Sequence, residues 1–207
     1  MPFDRLHPHL QEALQRLKFD TPMAVQELAL NPVKSGKHHF IFADKGQGKT
    51  TTLILSVLQK LDCEAKEMVP RALIFVRNKE ASLALAEEFK PFTRFSDLRV
   101  FTAYDQHKIR NQKDEIYEGV DILIGTPKRL NELFHQNGLN TSLLKMLIIE
   151  DAEFISERNQ HLDIIRITES LSNCQFLVFA KGYHPRFEKL EETFMRRSNT
   201  LDLAKKS

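Results

Sequence analysis

Six short apolar runs do most to limit what this chain can become. "HHFIFA" (38–43), "RALIFV" (71–76), "LRVFTA" (98–103), "VDILIG" (120–125), "KMLIIE" (145–150) and "CQFLVFA" (174–180) are rich in Ile, Val and Phe and too short for helices. None alternates apolar with polar, so each needs cover on both faces, as strands of a parallel sheet do. Between them, "KTTTLILSVLQKL" (49–61), "NKEASLALAEEFK" (78–90), "HKIRNQKDEIYEG" (107–119), "PKRLNELFHQNG" (127–138) and "ERNQHLDIIRITESL" (157–171) carry the three-and-four spacing of helices. Two more helices come first, at 7–17 and 22–36, and one at 184–198 closes the chain. This order specifies an α/β domain, a parallel sheet of six or seven strands with helices on both faces. No linker, repeat or low-complexity tract interrupts it, so a single domain over 1–207 is expected.

The first run leads into "ADKGQGKT" (43–50), between an apolar strand and an apolar helix. A chain that wraps phosphates needs a tight turn whose backbone N–H groups converge, and Gly46 and Gly48 permit one. The helix that follows adds its free amides and its dipole. In this pattern Lys49 reaches the β- and γ-phosphates and the Thr50 hydroxyl ligates Mg²⁺. Ala43, Asp44, Lys45, Gly46, Gln47, Gly48, Lys49, Thr50 and Thr51 are therefore the candidate nucleotide-binding stretch.

"LLKMLIIEDAEFI" (143–155) ends an apolar run in the acids Glu150, Asp151 and Glu153. One reading is an acidic helix start favoured by the helix dipole. The other is a metal site, and the phosphate loop upstream favours it, with Glu150 meeting the Mg²⁺ that Thr50 also touches.

Composition narrows the partners little. With 30 basic residues against 28 acids the net charge is +2, so a uniformly basic nucleic-acid binder is not indicated, although a local basic face is open. The two cysteines, Cys63 and Cys174, lack metal-ligand spacing and are expected to be reduced and half-buried. There is no signal-peptide core and no apolar run of membrane-spanning length, so a cytoplasmic protein is expected.

Together these motifs resemble the first RecA-like domain of DEAD-box RNA helicases, from about Phe3 to Leu201. "KFDTPMAVQ" (18–26) is similar to the family's Q motif, which puts that motif in the region 1–36. The resemblance implies that Phe19 and Gln26 help bind the nucleotide and that Gln26 selects adenine, since an amide both donates and accepts. "RNKEAS" (77–82) falls where the family has Pro-Thr-Arg-Glu-Leu-Ala, and "GTPKRL" (125–130) resembles its Thr-Pro-Gly-Arg element. On this likeness Arg77, Asn78, Lys79, Thr126, Lys128 and Arg129 become candidate contacts to RNA backbone. Arg129 either offers charge or holds its loop. Basic residues at 107–113 either meet phosphates or form a solvated face.

The departures bear on chemistry. The family's Asp-Glu-Ala-Asp is Glu150-Asp151-Ala152-Glu153, each acid exchanged for the other. The resemblance gives Glu150 the Mg²⁺ position and Asp151 the position that activates water, with Lys49 as the third candidate catalytic residue. Ala180-Lys181-Gly182 replaces Ser-Ala-Thr, and Asp105-Gln106 stands where the family has Gly-Gly. Lys181 either points at the acids or is solvated. Only six residues follow Leu201, so the family's second RecA-like domain, with its arginine finger, is not among these 207 residues. A domain that stands alone is the expectation from the initial Met. The expected function is Mg-ATP binding and RNA-backbone binding, with ATPase activity that is weak or depends on a partner domain. The alternative is a degenerate nucleotide-binding, RNA-binding or docking module without hydrolysis.

Overall fold

A computed structural model describes residues 3–156 and 160–203. The strands are β1 (His39–Phe42), β2 (Ala72–Phe75), β3 (Val100–Ala103), β4 (Ile122–Gly125), β5 (Met146–Ile149), β6 (Gln175–Ala180) and β7 (Asn199–Asp202). The helices are α1 (Pro8–Arg16), α2 (Ala24–Lys34), α3 (Lys49–Lys60), α4 (Lys79–Thr93), α5 (Ile109–Tyr117), α6 (Pro127–His135), α7 (Gln160–Thr168) and α8 (Phe187–Glu192). Residues 157–159, expected at the head of a helix, lie outside the described residues.

All seven strands form one sheet in the order β3-β4-β2-β5-β6-β1-β7, and every recorded pair is parallel. The six apolar runs each hold a strand, as their two-sided hydrophobicity requires. Alternation along each strand then divides the core in two. Ile41, Ile74, Ile124, Ile148 and Phe179 pack with Leu10, Val25, Leu53 and Phe89 of α1 to α4. Phe42, Phe75, Leu123, Ile149 and Val178 pack with Ile116, Leu130, Ile164 and Phe187 of α5 to α8.

Three local expectations are narrowed or changed. The sheet takes the larger of the two expected strand counts, and the seventh strand, β7, has no apolar run to mark its position: Asn199 and Thr200 are exposed and it pairs on one side only, so it lacks the signature of a covered strand. The closing helix covers only Phe187–Glu192 of the expected 184–198, with Phe187 and Leu190 the residues it buries. The cysteines are free but buried rather than half-buried, and burial pushes both thiols up to about 12, which leaves them unreactive.

Opposite the strands' C-terminal ends, Asp121 is fully buried just before β4. Its carboxylate takes Arg71 at 2.8 Å and Arg99 at 2.8 Å, tying together the starts of β2, β3 and β4.

Candidate nucleotide and RNA site

Parallel strands place all their C-terminal ends on one edge of the sheet, where ligands of such folds collect. The loop after β1 occupies that edge, with Asp44 to Gln47 exposed. The first backbone bond of α3 runs from Thr52 N to Gly48 O at 3.0 Å. The amides of Lys49, Thr50 and Thr51 therefore have no acceptor within their own helix, and they carry its positive dipole end. Gly48 caps the helix with φ 88, a left-handed conformation that favours glycine. A Cβ at Gly48 would come 2.9 Å from Met23 Sδ and 3.1 Å from Gln26 Nε2, so the loop lies directly against the start of α2. Gln26 is buried there, and its Oε1 accepts from Met23 N at 2.8 Å, which fixes the amide with Nε2 beside Gly48. Phe19 is exposed, with its ring 6.5 Å from that of Phe92.

Lys49 is buried. Its Nζ donates to Ala43 O at 2.7 Å and Asp44 O at 3.2 Å and lies 3.9 Å from Asp151 Oδ1. Strands β1 and β5 are separated only by β6, which is why a loop residue and an acid so distant in sequence meet. The Thr50 side chain lies beside the Glu150 carboxyl and favours its ionised form. Burial, with the charges of Asp151 and Glu88, pushes Glu150 up to about 7 against the opposing pull of Thr50 and Lys49. Asp151 is exposed and adopts φ 44, a left-handed conformation uncommon for a residue with a side chain. Glu153 turns elsewhere and accepts from the backbone amide of Lys181, whose side chain is solvated. The three neighbouring acids thus have three different partners: a hydroxyl, an ammonium and a main-chain N–H.

This arrangement suits Mg²⁺ held with a nucleotide. Among the described residues no group of three or more His, Cys, Asp or Glu would cage a metal. Mg²⁺ characteristically takes one or two protein ligands plus phosphate oxygens and water, so Glu150 and Thr50 form an adequate protein share. A cation at Glu150 would also displace the proton that burial retains there.

A second group of candidates surrounds a cleft of about 380 Å³ at the ends of β2, β3 and β4. Arg77, Asn78, Lys79, Thr126 and Lys128 all line it, together with Asp105. Gly125 is required where β4 meets β3, since a Cβ there would stand 2.6 Å from Ala103 O. Asn78 caps α4, its Oδ1 accepting from Ala81 N at 2.9 Å. Lys79 Nζ lies 5.2 Å from the centre of the Tyr104 ring, a cleft-lining aromatic that the sequence did not single out. Thr126 is buried at the start of α6, and its hydroxyl has no hydrogen-bond partner. Lys128 is exposed, 3.9 Å from Glu132. Arg129 is buried and does not line the cleft. Its Nη2 donates to Asp105 O at 2.8 Å, and its Nε lies 3.3 Å from Glu132 Oε2 and 3.8 Å from Asp105 Oδ1.

The sequence model of the DEAD/DEAH box helicases matches residues 23–181, from within the Q-like segment to just past β6. This chain belongs to the DEAD/DEAH box helicase family. Among relatives of this DEAD-box domain, eukaryotic initiation factor 4A of Caenorhabditis elegans is 25% identical over 92% of the chain and 47% of its own length. The ATP-dependent RNA helicase eIF4A of Botryotinia fuckeliana is 28% identical over 92% of the chain and 48% of its own length. The chain thus spans about half the length of these curated relatives. In solved structures the fold matches a DEAD box protein from Methanococcus jannaschii, with a TM-score of 0.86, 17% identity, and coverage of 97% of this chain and 55% of that one. It also matches Saccharomyces cerevisiae Dbp5 bound to Nup159, Gle1, IP6 and ADP, with a TM-score of 0.85, 19% identity, and coverage of 96% and 52%. The sheet is thereby the RecA-like fold of DEAD-box proteins.

Proposed function

We propose that this DEAD-box domain binds Mg-ATP at the ends of β1, β5 and β6 and RNA backbone at the ends of β2, β3 and β4 on the same edge, and hydrolyses ATP weakly or only with a partner. The carrying observation is the meeting of Lys49 with Asp151 at 3.9 Å beside the Thr50–Glu150 contact. It supports a triphosphate lying across the free amides of α3. Lys49 would hold the β- and γ-phosphates, and Glu150 and Thr50 the ion. Bound Mg²⁺ would neutralise charge that builds on the phosphates. Asp151 would orient the attacking water, and Gln26, fixed beside Gly48, would select adenine. Partners of the class would be RNA and a second RecA-like domain or a docking protein supplied in trans. The compartment that suits the reading is the cytoplasm.

A second reading, binding without turnover, is favoured by one observation. Asp151 is paired with Lys49 on a shortened side chain, and misplacing a water-activating group by an ångström costs about 100-fold in rate. Calorimetry with Mg-ATP, together with phosphate release with and without RNA, tests both readings on wild type and Lys49→Ala. Binding lost with the lysine supports the nucleotide site, and phosphate release lost with it supports the enzyme. Binding without release supports the module. No heat from wild type with Mg-ATP overturns both.

A further inference from the structure

The cleft at the ends of β2, β3 and β4 is basic on one side, but its chemistry is not uniform. Asp105 lines it and is 41% exposed on its side chain, whereas Arg129, 8% exposed, lies outside the lining. The two are joined twice, by Nη2 donating to the Asp105 carbonyl at 2.8 Å and by Nε at 3.8 Å from its carboxylate. Glu132 adds a second carboxylate at 3.3 Å, yet Nε has no aligned hydrogen-bond acceptor. The guanidinium is thus surrounded by negative charge without being fully satisfied. Nearby, the Thr126 hydroxyl is buried with no partner, on the same wall as Lys128. Such a pairing of an orphaned hydroxyl and an under-satisfied guanidinium suits a phosphate, which offers the acceptors both groups lack.

We propose that Asp105 is an internal competitor for RNA phosphate: its carboxylate and carbonyl occupy Arg129 and screen that charge from the cleft, so RNA binds only as it displaces Asp105. This rests on the RNA reading above and names the residue that sets its strength. Asp105 enters through its position on the loop after β3, which Gly125 lets approach the start of α6 through the close Ala103 contact. An acid there lowers affinity twice, by repelling phosphate and by occupying the cation that would receive it.

The test is fluorescence anisotropy with a short labelled single-stranded RNA of mixed sequence, on the full chain at a series of salt concentrations. Asp105→Asn is expected to bind on the order of tenfold more tightly at low salt, with a steeper salt dependence. Glu80→Gln removes an acid that lines the same cleft without touching Arg129, and it should change affinity far less. In an Arg129→Gln background, with folding verified by thermal melting, the gain from Asp105→Asn should shrink to the Glu80→Gln level. Arg129→Lys is the second background should the glutamine variant not fold. Wild-type binding unchanged by Asp105→Asn overturns the competitor alone, as does an equal gain from Glu80→Gln or a gain that persists without Arg129. Absence of RNA binding by every variant at low salt overturns the RNA reading, and the competitor with it.

Discussion

Glu150 shows how a single side chain can be held in a costly state by its position. It retains its proton up to about 7 in the folded chain, whereas an ordinary glutamate releases it near 4.5. Between those values the folded state binds more protons than the unfolded one, so stability falls as pH rises through that window. Glu150→Gln, which is neutral at every pH, should therefore stabilise the ligand-free protein at pH 8 by up to about 3 kcal/mol and change little at pH 4. Thermal melts of both proteins without Mg²⁺ at the two pH values measure this, and equal shifts at both would contradict it. Gly48 is the converse case, a residue chosen for what it lacks. Gly48→Ala would place a methyl group against Met23 and Gln26 on a left-handed backbone. The expected loss is about 1–3 kcal/mol of stability with weakened Mg-ATP binding, read by melting and calorimetry.

Among the elements, β4 depends on a charge placed ahead of it. Burial alone would raise the Asp121 carboxyl, but hydrogen bonds from Arg99 and Arg71 outweigh it and hold the group below its usual value. Its contribution is therefore complete above the ordinary aspartate value of 3.8 and is lost as pH falls through the lower, folded value. Asp121→Asn leaves Arg71 buried without its counter-charge and should cost about 3–5 kcal/mol at neutral pH, measured by urea unfolding. The covered strands were legible in the sequence because two-sided burial demands unbroken apolar runs. Strand β7 was not, because an edge strand with exposed residues carries no such demand. The site was legible where the backbone imposes residue types, as at Gly46, Gly48 and Lys49. It was not legible where distant side chains meet: nothing in the sequence pairs Asp105 with Arg129 or aims Glu153 at the Lys181 amide. Asn78, singled out for RNA, places its oxygen on a helix cap, a role that Asn commonly fills at a helix start.

At the scale of the molecule, the chain spans about half the length of its initiation-factor relatives, and its candidate sites share one edge of one sheet. A second RecA-like domain added in trans, with RNA, should raise phosphate release at least about tenfold, because an arginine finger contributes about 10³–10⁵ in related phosphoryl transfers. No increase at saturating RNA and domain would contradict that dependence. The sheet order has one more consequence. Strand β1, which launches the phosphate loop, has its only strand neighbours in β6 and β7, both close to the far end of the described chain. A ribosome making this protein would have to release those late segments before the early strand gained either hydrogen-bonding neighbour. Within the described residues, the strand that carries the phosphate loop would thus stay unpaired until β2 to β5 had all emerged.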